Sequence, residues 1–261
     1  MNQNFIDKHI DEIADERGMI VAKSNALIQK SRFPLSLQEQ KIVLFLISKI
    51  KPTDKDIEAI SLSISDFCAV CGIDTQKNKS MTAYIKGTIK TLADRSLWIE
   101  TEEKKEILFR WIEQAEINRD NVTIKLHSSL KPYLIELKRQ YTTYSLFSVL
   151  AMKSKYSVRL YELLKSYAFI EHKRFSIEEL KIRLGAEKYR DFYKFKTKVL
   201  VPALNDIEHY SDIKVKTHYE KTKNKFTGVL FFIKQLEEKD HAERWENVLD
   251  KIDREAEGDK K

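Results

Sequence analysis

The side chains that most often carry catalysis or bind metals do not form a recognisable site in this sequence. Six histidines occur without a His-x-His or His-Glu-x-x-His pair, which excludes the usual metal-dependent nicking and zinc protease motifs. Cys68 and Cys71 have the spacing of half a zinc site, but there is no second cysteine pair. No glycine is followed by lysine, so the sequence has no phosphate-binding P-loop. We therefore predict no catalytic site, no metal and no cofactor, in a protein that is not an enzyme.

Positive charge is the chemical feature that the sequence does carry. The 261 residues hold 47 Lys and Arg against 40 Asp and Glu, a net charge of +7. Residues 1–17 and 237–261 are acidic, at −3 and −4, so the chain between them carries +14. A domain of this charge attracts polyanions, most often nucleic acid and less often a membrane surface. A lysine-rich surface that serves only solubility is the alternative.

The densest basic segment has the pattern of a helix with one apolar face. Residues 188–198 hold five basic residues and one acid. With Phe192, Phe195 and Val199 facing a core, helical geometry turns a polar face outward. That face consists of Arg190, Lys194, Thr197 and Lys198, with Lys196 at its border. In a major groove, Lys or Arg can donate to guanine and the Thr methyl group can contact thymine. A solvated amphipathic helix is the alternative.

Further candidate DNA-binding residues lie in two predicted hairpins and in an earlier helix. The hairpin near the C-terminal end contributes Lys214, Lys216, Lys221, Lys223 and Lys225. The earlier helix and turn contribute Lys77, Asn78, Lys79, Thr82, Lys86 and Arg119. A basic hairpin can lie along a DNA backbone or in a minor groove. We expect weaker contact from the earlier set because it is less densely charged, and Asn78 can either pair with adenine or cap a helix.

The sequence repeats itself with an offset of 113 residues. Ile64–Gly72 and Ile177–Gly185 share the order Ile-x-acid-large apolar-x-x-x-apolar-Gly. Each copy follows a serine that can cap a helix, Ser63 in the first and Ser176 in the second. A repeat of this length indicates two related domains rather than a solenoid.

The alignment of the two copies assigns places to the cysteines. Cys71 aligns with Leu184 at an apolar core position, whereas Cys68 aligns with Lys181, which the pattern places on the surface. We therefore predict that Cys71 packs as a small core residue and that Cys68 is incidental.

Each copy continues with a longer helix and two strands. The helices have apolar stripes, formed by Met81, Ile85, Ile89 and Leu92 in the first copy and by Phe192, Phe195, Val199, Ala203 and Ile207 in the second. The strands are predicted at 107–112 and 122–126, joined through 118–121, and at 213–217 and 229–233, joined across 221–225. Short helix, Gly turn, longer helix and hairpin follow the order of a winged helix-turn-helix. We predict an α+β fold of two tandem winged helix-turn-helix domains related by internal duplication.

The predicted organisation has four parts. They are an acidic N-terminal extension at 1–18, a first winged-helix domain at 19–170, a second one for the main specific DNA reading at 171–236, and an acidic tail at 237–261. The acidic ends favour a solvating role, with partner binding as the alternative. The chain has no apolar run near the ~20 residues that a bilayer requires, and no secretory signal pattern at its start. We expect a cytoplasmic protein that does not engage a membrane.

Several segments resemble the initiator replication proteins of iteron-containing, theta-replicating plasmids. The resemblance spans about residues 19–235. It is carried by Val21–Ile28, Leu35–Lys41, Ser157–Leu164 and Phe195–Leu204. It implies a fold of two winged-helix domains. The family's Pro-Ala pair within its last reading helix also implies that Pro202 is accommodated here.

The resemblance implies a function as well. Such a protein binds iteron repeats in the double-stranded DNA of a plasmid origin, distorts the DNA, and assembles the host initiator and replicative helicase there. It is a monomer in equilibrium with a homodimer, in which the first domain forms the dimer contact and the dimer represses the protein's own promoter. We then expect it in the bacterial cytoplasm, associated with plasmid and nucleoid. A winged-helix transcriptional repressor without an origin role is the alternative, and an unrecognised DNA nickase is a more distant one.

Overall fold

The computed structural model describes residues 20–32, 34–51, 53–71, 81–101, 103–135, 137 and 139–237. The chain forms two compact units that divide after Leu150. Helices and antiparallel sheets occur in both units, which agrees with the predicted α+β class. None of the helices in the described ranges combines the length and the apolar character needed to cross a bilayer.

The first unit contains three small antiparallel sheets and several helices. Its strands are β1 Ile20–Ser24, β2 Ser31–Arg32, β3 Ile60–Ser63, β4 Ser96–Glu100, β5 Glu106–Arg110, β6 Ile112–Ile117, β7 Asn121–Leu126 and β8 Tyr141–Ser145. Its helices are α1 Asn25–Gln29, α2 Leu37–Ser48, α3 Ile64–Cys71, α4 Met81–Ala93, α5 Lys131–Leu134 and α6 Leu146–Leu150, with a 3₁₀ turn at Ser128–Leu130. The sheets have the strand orders β1-β8, β2-β4-β5 and β3-β7-β6.

Helix α2 runs through the core of the first unit. The spacing of Ser36 and Glu39 predicts a capping box, and the structure confirms it. The Glu39 amide donates to Ser36 Oγ at 3.2 Å, and the Ser36 amide donates to Glu39 Oε2 at 2.6 Å. Arg95 Nε donates to the other carboxylate oxygen of Glu39 at 3.2 Å. The apolar run from Ile42 to Ile47 is buried on every side, as expected of a central helix.

The second unit is a three-stranded sheet packed against helices. Its elements in chain order are α7 Lys155–Lys165, a 3₁₀ turn at Ala168–Ile170, β9 His172–Ser176, α8 Ile177–Leu184, α9 Phe192–Phe195, a π-helical turn at Lys196–Leu200, α10 Val201–Tyr210, β10 Ile213–Thr222 and β11 Lys225–Gln235. The sheet order is β10-β11-β9. Helix α7 packs on α10, and the Ser157 hydroxyl donates to Asp206 Oδ2 at 2.6 Å. The units therefore divide before α7, whereas the sequence pattern placed a boundary near residue 170.

The two units share one winged-helix arrangement. In each, the strand ahead of the short helix pairs with the last strand of the hairpin, giving β3-β7-β6 in the first unit and β9-β11-β10 in the second. A serine at the equivalent position caps the short helix in both units. Ser63 Oγ accepts from the Asp66 amide at 3.0 Å, and Ser176 Oγ accepts from the Glu179 amide at 3.1 Å. The predicted duplication is thus present in topology and in its caps.

The predicted first hairpin is wrong in one strand. Strand β7 pairs with β6, and the segment predicted as its partner forms β5, which pairs with β4 in a different sheet. Trp111 separates β5 from β6 and is fully buried. Strand β6 is difficult to recognise from sequence because its middle is exposed and polar and a bulge between Ile112 and Gln114 interrupts the alternation.

The predicted exposure of Cys68 is also wrong. Cys68 is 1% exposed, and Lys181, the residue aligned with it, is 4% exposed. Both positions therefore face the core of their unit. Burial raises the pKa of the Cys68 thiol. The side chain of Cys71 lies outside the described part of the structure, so its predicted core position stays a prediction.

Candidate nucleic-acid interface

The longer helix of the second unit, residues 192–210, is called the reading helix below. It begins at Phe192 because Asp191 caps it, with Asp191 Oδ1 accepting from the Lys194 amide at 2.8 Å. Its core stripe is confirmed, since Phe195, Val199, Ala203 and Ile207 are all buried. Phe192, the first member of the predicted stripe, is only half-buried.

The reading helix accommodates Pro202 by widening one turn. Residues Lys196–Leu200 form a π-helical turn in which the Val201 amide donates to the Lys196 carbonyl, five residues back. Pro202 then stands in the first turn of α10, where its missing N–H costs little. The π-turn also keeps the core stripe from Phe195 to Ile207, whose members are four residues apart, on the buried side of the helix. In a regular helix that stripe would drift by about 120° over twelve residues.

The outward face of the reading helix is the predicted one except for Arg190. Lys194, Thr197 and Lys198 are exposed on the helix, and Lys196 is half-buried. Arg190 is exposed as well, but it precedes the Asp191 cap, so its predicted place on the helix is wrong. The Thr197 hydroxyl donates to the Tyr193 carbonyl at 2.8 Å, so its methyl group is the part left for contact with DNA. Tyr193, which the apolar pattern did not identify, lies among these residues and is 63% exposed.

Lys181 fixes the turn that leads into the reading helix. Its Nζ donates to the Arg190 carbonyl and to Glu178 Oε1, each at 3.2 Å, and lies 5.9 Å from the centre of the Phe195 ring. Gly185 ends α8 in the left-handed conformation, at φ 62°, a backbone position that favours glycine. The sequence pattern missed this anchoring role because it treated Lys181 as a surface residue.

The hairpin of the second unit is the predicted wing, and it is longer than predicted. Strands β10 and β11 are joined at Lys223 and Asn224, and Lys223 has a positive φ of 56°. All five predicted lysines of this hairpin are exposed. Residues 221–225, called the wing tip below, hold three of them. Lys214 and Lys216 lie instead on the outer face of the sheet, about 20 Å along the strand from the tip.

An ion pair lies across the outer face of the sheet below the wing tip. Arg174 Nε on β9 contacts Glu220 Oε2 on β10 at 2.8 Å, over the intervening strand β11. Gly228 lies between them, and a Cβ atom there would stand 2.5 Å from Glu220 Oε2 and 3.2 Å from the Phe175 carbonyl. Because Arg174 neutralises the carboxylate of Glu220 next to the wing tip, the three lysines of the tip determine its charge.

Four aromatic rings join the reading helix to the wing. This aromatic cluster consists of Phe192, Tyr193, Tyr219 and Phe226. The Phe192 and Phe226 rings stack at 4.1 Å, and Phe226 meets Tyr193 edge-on at 5.8 Å and Tyr219 at 6.3 Å. Burial raises the pKa of the Tyr219 hydroxyl. The sequence pattern did not reveal this cluster, although an aromatic residue on each side of the hairpin turn, Tyr219 and Phe226, is a signal for it.

The first unit offers a smaller set of exposed polar residues. Thr82 and Lys86 lie exposed on α4, and Arg119 is exposed in the turn between β6 and β7. Asn118 Oδ1 orders that turn by accepting from the Asp120 and Asn121 amides at 2.9 and 2.8 Å. The predicted residues Lys77, Asn78 and Lys79 lie outside the described residues.

The described residues contain no group of three or more His, Cys, Asp or Glu side chains arranged to hold a metal ion. Their polar surfaces are instead those of two winged-helix domains, each with a short helix, a longer helix and a wing. This arrangement defines the class of the protein as a double winged-helix protein.

Comparison with known families gives the particular family. A model described as "Initiator Replication protein, WH1" matches residues 20–165, and one described as "Initiator Rep protein, WH2" matches residues 176–233. The chain belongs to this family of initiator replication proteins. It is also 27% identical, over 208 residues, to a protein of Escherichia coli named "Replication initiation protein". That alignment covers 76% of this chain and 64% of the relative.

Proposed function

We propose that this protein is a plasmid replication initiator. It binds repeated sequences in the double-stranded DNA of an origin, helps to open the DNA there, and recruits the host initiator and the replicative helicase. The observation that carries the proposal is the meeting of two basic surfaces at one edge of the second unit. The reading helix carries exposed Lys194 and Lys198, and the stacked Phe192 and Phe226 rings hold its first turn against the wing, whose tip carries three exposed lysines. Membership of the initiator replication protein family supports the same role.

The two surfaces suit different parts of a duplex. The outward face of the reading helix has the charge and the donors to contact base edges in a major groove. The wing tip is suited to the phosphate backbone or the adjacent minor groove, because it offers cations without a fixed hydrogen-bonding pattern. The corresponding helix α4 of the first unit supplies a second contact. Two such elements in one chain fit a site of about two helical turns, ~20 bp.

The proposal extends to regulation and location. A homodimer in equilibrium with the monomer, with its contact in the first unit, represses the protein's own promoter, and the protein acts in the cytoplasm without catalysing a reaction. Resemblance to the family supports these points. Each of these points is tested separately from DNA binding. Sedimentation measures dimerisation, and a promoter reporter measures repression.

Selection of bound duplexes from a random pool tests the central claim. The full chain is used at 50 and 200 mM salt, where a protein with ~6–10 phosphate contacts loses ~10³–10⁵-fold in affinity. We expect one motif of ~20 bp, found as tandem direct repeats in a plasmid origin. A motif found only at promoters would replace the initiator by a transcriptional repressor. Recovery of no motif would overturn sequence-specific binding altogether.

Nicking activity is tested on the same DNA. Supercoiled origin plasmid is incubated with the protein and a divalent metal, and we expect it to remain supercoiled. Nicked product above the level of a protein-free control would contradict the non-enzymatic assignment.

A further inference from the structure

Two lysines at the junction of the reading helix and the wing lie over aromatic rings. Lys196 Nζ is 4.3 Å from the centre of the Tyr219 ring, and Lys221 Nζ is 4.4 Å from the centre of the Phe226 ring. The two rings are neighbours, with 6.3 Å between their centres. The two ammonium groups therefore lie on adjacent rings, one cation from the helix and one from the wing.

We propose that Tyr219 and Phe226 are positioning residues that hold Lys196 and Lys221 as a preorganised pair for backbone phosphates of bound DNA. The inference rests on the proposed DNA-binding function and deepens it, because it names the residues that set the geometry of one contact. The ligand is a phosphodiester strand that lies along the junction of the reading helix and the wing tip.

The rings restrain the lysines before DNA arrives. A free lysine side chain has many rotamers, and part of this conformational freedom is lost when the ammonium group binds a phosphate. An ammonium group over a ring face within 6 Å is attracted to it, so each lysine is already confined near its binding position. The three N–H donors of each lysine allow it to contact a phosphate while it stays on its ring.

The surrounding charges favour the same role. The acid next to Lys221 in sequence, Glu220, is held by Arg174 at 2.8 Å. The cluster is itself anchored on both sides, because Phe192 of the reading helix stacks on Phe226 of the wing at 4.1 Å with an interplanar angle of 23°. Helix and wing are thus connected through the same rings that carry the two cations.

Ring substitutions separate positioning from simple packing. Phe226→Leu and Tyr219→Leu remove the π face but keep an apolar side chain, whereas Phe226→Tyr and Tyr219→Phe keep the ring. Affinity of the full chain for its selected duplex is measured by fluorescence anisotropy. We expect each leucine variant to bind about two- to fivefold more weakly, because the released lysine must be ordered when DNA binds, and each aromatic variant to bind like wild type. Phe232→Leu is the matched control, since Phe232 is a half-exposed ring on the outer face of the same strand.

A coupling measurement gives the readout that a purely structural role would not move. In the wild-type protein, Lys221→Gln makes the negative slope of log affinity against log salt shallower by about 0.9, the value for one lost phosphate contact. In the Phe226→Leu background the same substitution reduces affinity by a smaller factor, because the lysine there has already lost its restraint. Lys196→Gln and Tyr219→Leu form the second such pair, which serves if Phe226→Leu does not fold.

The outcomes distinguish this inference from the proposed function. If wild type selects a motif but the leucine variants bind as tightly as wild type, the positioning role is overturned and the initiator role stands. It is equally overturned if Phe226→Tyr binds as weakly as Phe226→Leu, or if the Lys221→Gln effect is the same in both backgrounds. If wild type selects no motif, the proposed function is overturned, and the positioning role that rests on it is overturned with it.

Discussion

The carboxylate of Asp212 ties the base of the wing to helix α7. The Tyr161 hydroxyl donates to Asp212 Oδ1 at 2.8 Å, and Gln235 Nε2 donates to Oδ2 at 3.1 Å. Lys165 Nζ also contacts Oδ2, and the side chains of Lys165 and Asp212 are only 10% and 16% exposed. Replacing Asp212 by Asn keeps the shape of the side chain but leaves Lys165 partly buried without its counter-ion.

The expected loss follows from that degree of burial. Breaking a fully buried ion pair costs about 3–5 kcal/mol, whereas an exposed pair contributes about 0–1 kcal/mol. The Lys165–Asp212 pair is nearer to the buried limit, and Asn can still accept from Tyr161. We therefore expect Asp212→Asn to lower the free energy of unfolding of the second unit by about 2–3 kcal/mol at pH 7.

The difference between wild type and Asp212→Asn also depends on pH. Burial alone would raise the pKa of Asp212, but the charge of Lys165 and the hydrogen bonds from Lys165, Tyr161 and Gln235 outweigh it and hold the pKa below the usual 3.8. A carboxylate with a lowered folded-state pKa stabilises the protein above its unfolded-state pKa, and this contribution is lost as the pH falls through the folded-state value. The difference therefore shrinks on acidification below about pH 4.

Urea unfolding of the full chain, followed by far-ultraviolet circular dichroism, measures both effects. Lys165→Met is combined with Asp212→Asn in a double-mutant cycle, in which we expect the double variant to lose less than the sum of the single losses. A loss below about 1 kcal/mol at pH 7 would refute the assignment of a near-buried pair. So would a difference that grows as the pH falls below 4.

Three further changes have defined outcomes. Lys194→Ala with Lys198→Ala should reduce affinity for the selected duplex at least tenfold, since a base contact is worth about 1–3 kcal/mol, and the exposed Lys105→Ala should bind like wild type. Gly228→Ala should displace the Arg174–Glu220 pair and lower the free energy of unfolding by about 1 kcal/mol, and an unchanged urea midpoint would contradict the close approach over β11. Gly87→Ala should raise the free energy of unfolding of the first unit by about 0.5–1 kcal/mol, because Gly87 is an exposed mid-helix residue with open space where a Cβ would stand; no rise in the thermal midpoint would contradict this.

The fold was predictable from sequence where one pattern constrained several elements together. The repeat at Ile64 and Ile177 identified both short helices with their capping serines, and the stripe ending at Ile207 identified the core side of the reading helix. These signals depend on local spacing and burial, which a sequence displays directly. The exposed basic face opposite the stripe followed from the same periodicity.

Residue identity gave misleading information where tertiary contacts decide burial. Lys181 is charged and was therefore assigned to the surface, yet its ammonium group is satisfied by the Arg190 carbonyl and Glu178 while its stem is buried. Because Cys68 was compared with Lys181, it received the same wrong assignment. A contact nine residues along the chain, from Lys181 to Arg190, has no signature in helical periodicity.

The pairing of strands was the second feature that the sequence did not predict. The apolar run beginning at Ile107 has a stronger strand pattern than the polar segment 112–117, but the hairpin uses the polar segment. Trp111, fully buried at the junction, separates the two strands, and local pattern does not show which of them pairs with β7. The aromatic cluster was missed for a related reason, since Phe192 and Phe226 are 34 positions apart and meet only when the wing folds back.

The π-turn at Lys196–Leu200 makes the reading helix sensitive to changes in length. A turn of this kind holds one residue more than a regular turn, so deleting one residue within it would rotate the residues upstream by about 100° relative to the buried stripe that follows. Those upstream residues include buried Phe195 and Phe192, which stacks on Phe226, so the rotation would disrupt the core and the contact with the wing together. Within a lineage, the DNA-binding face of this helix is therefore free to change by substitution at its exposed positions, whereas a codon gained or lost at the π-turn is selected against.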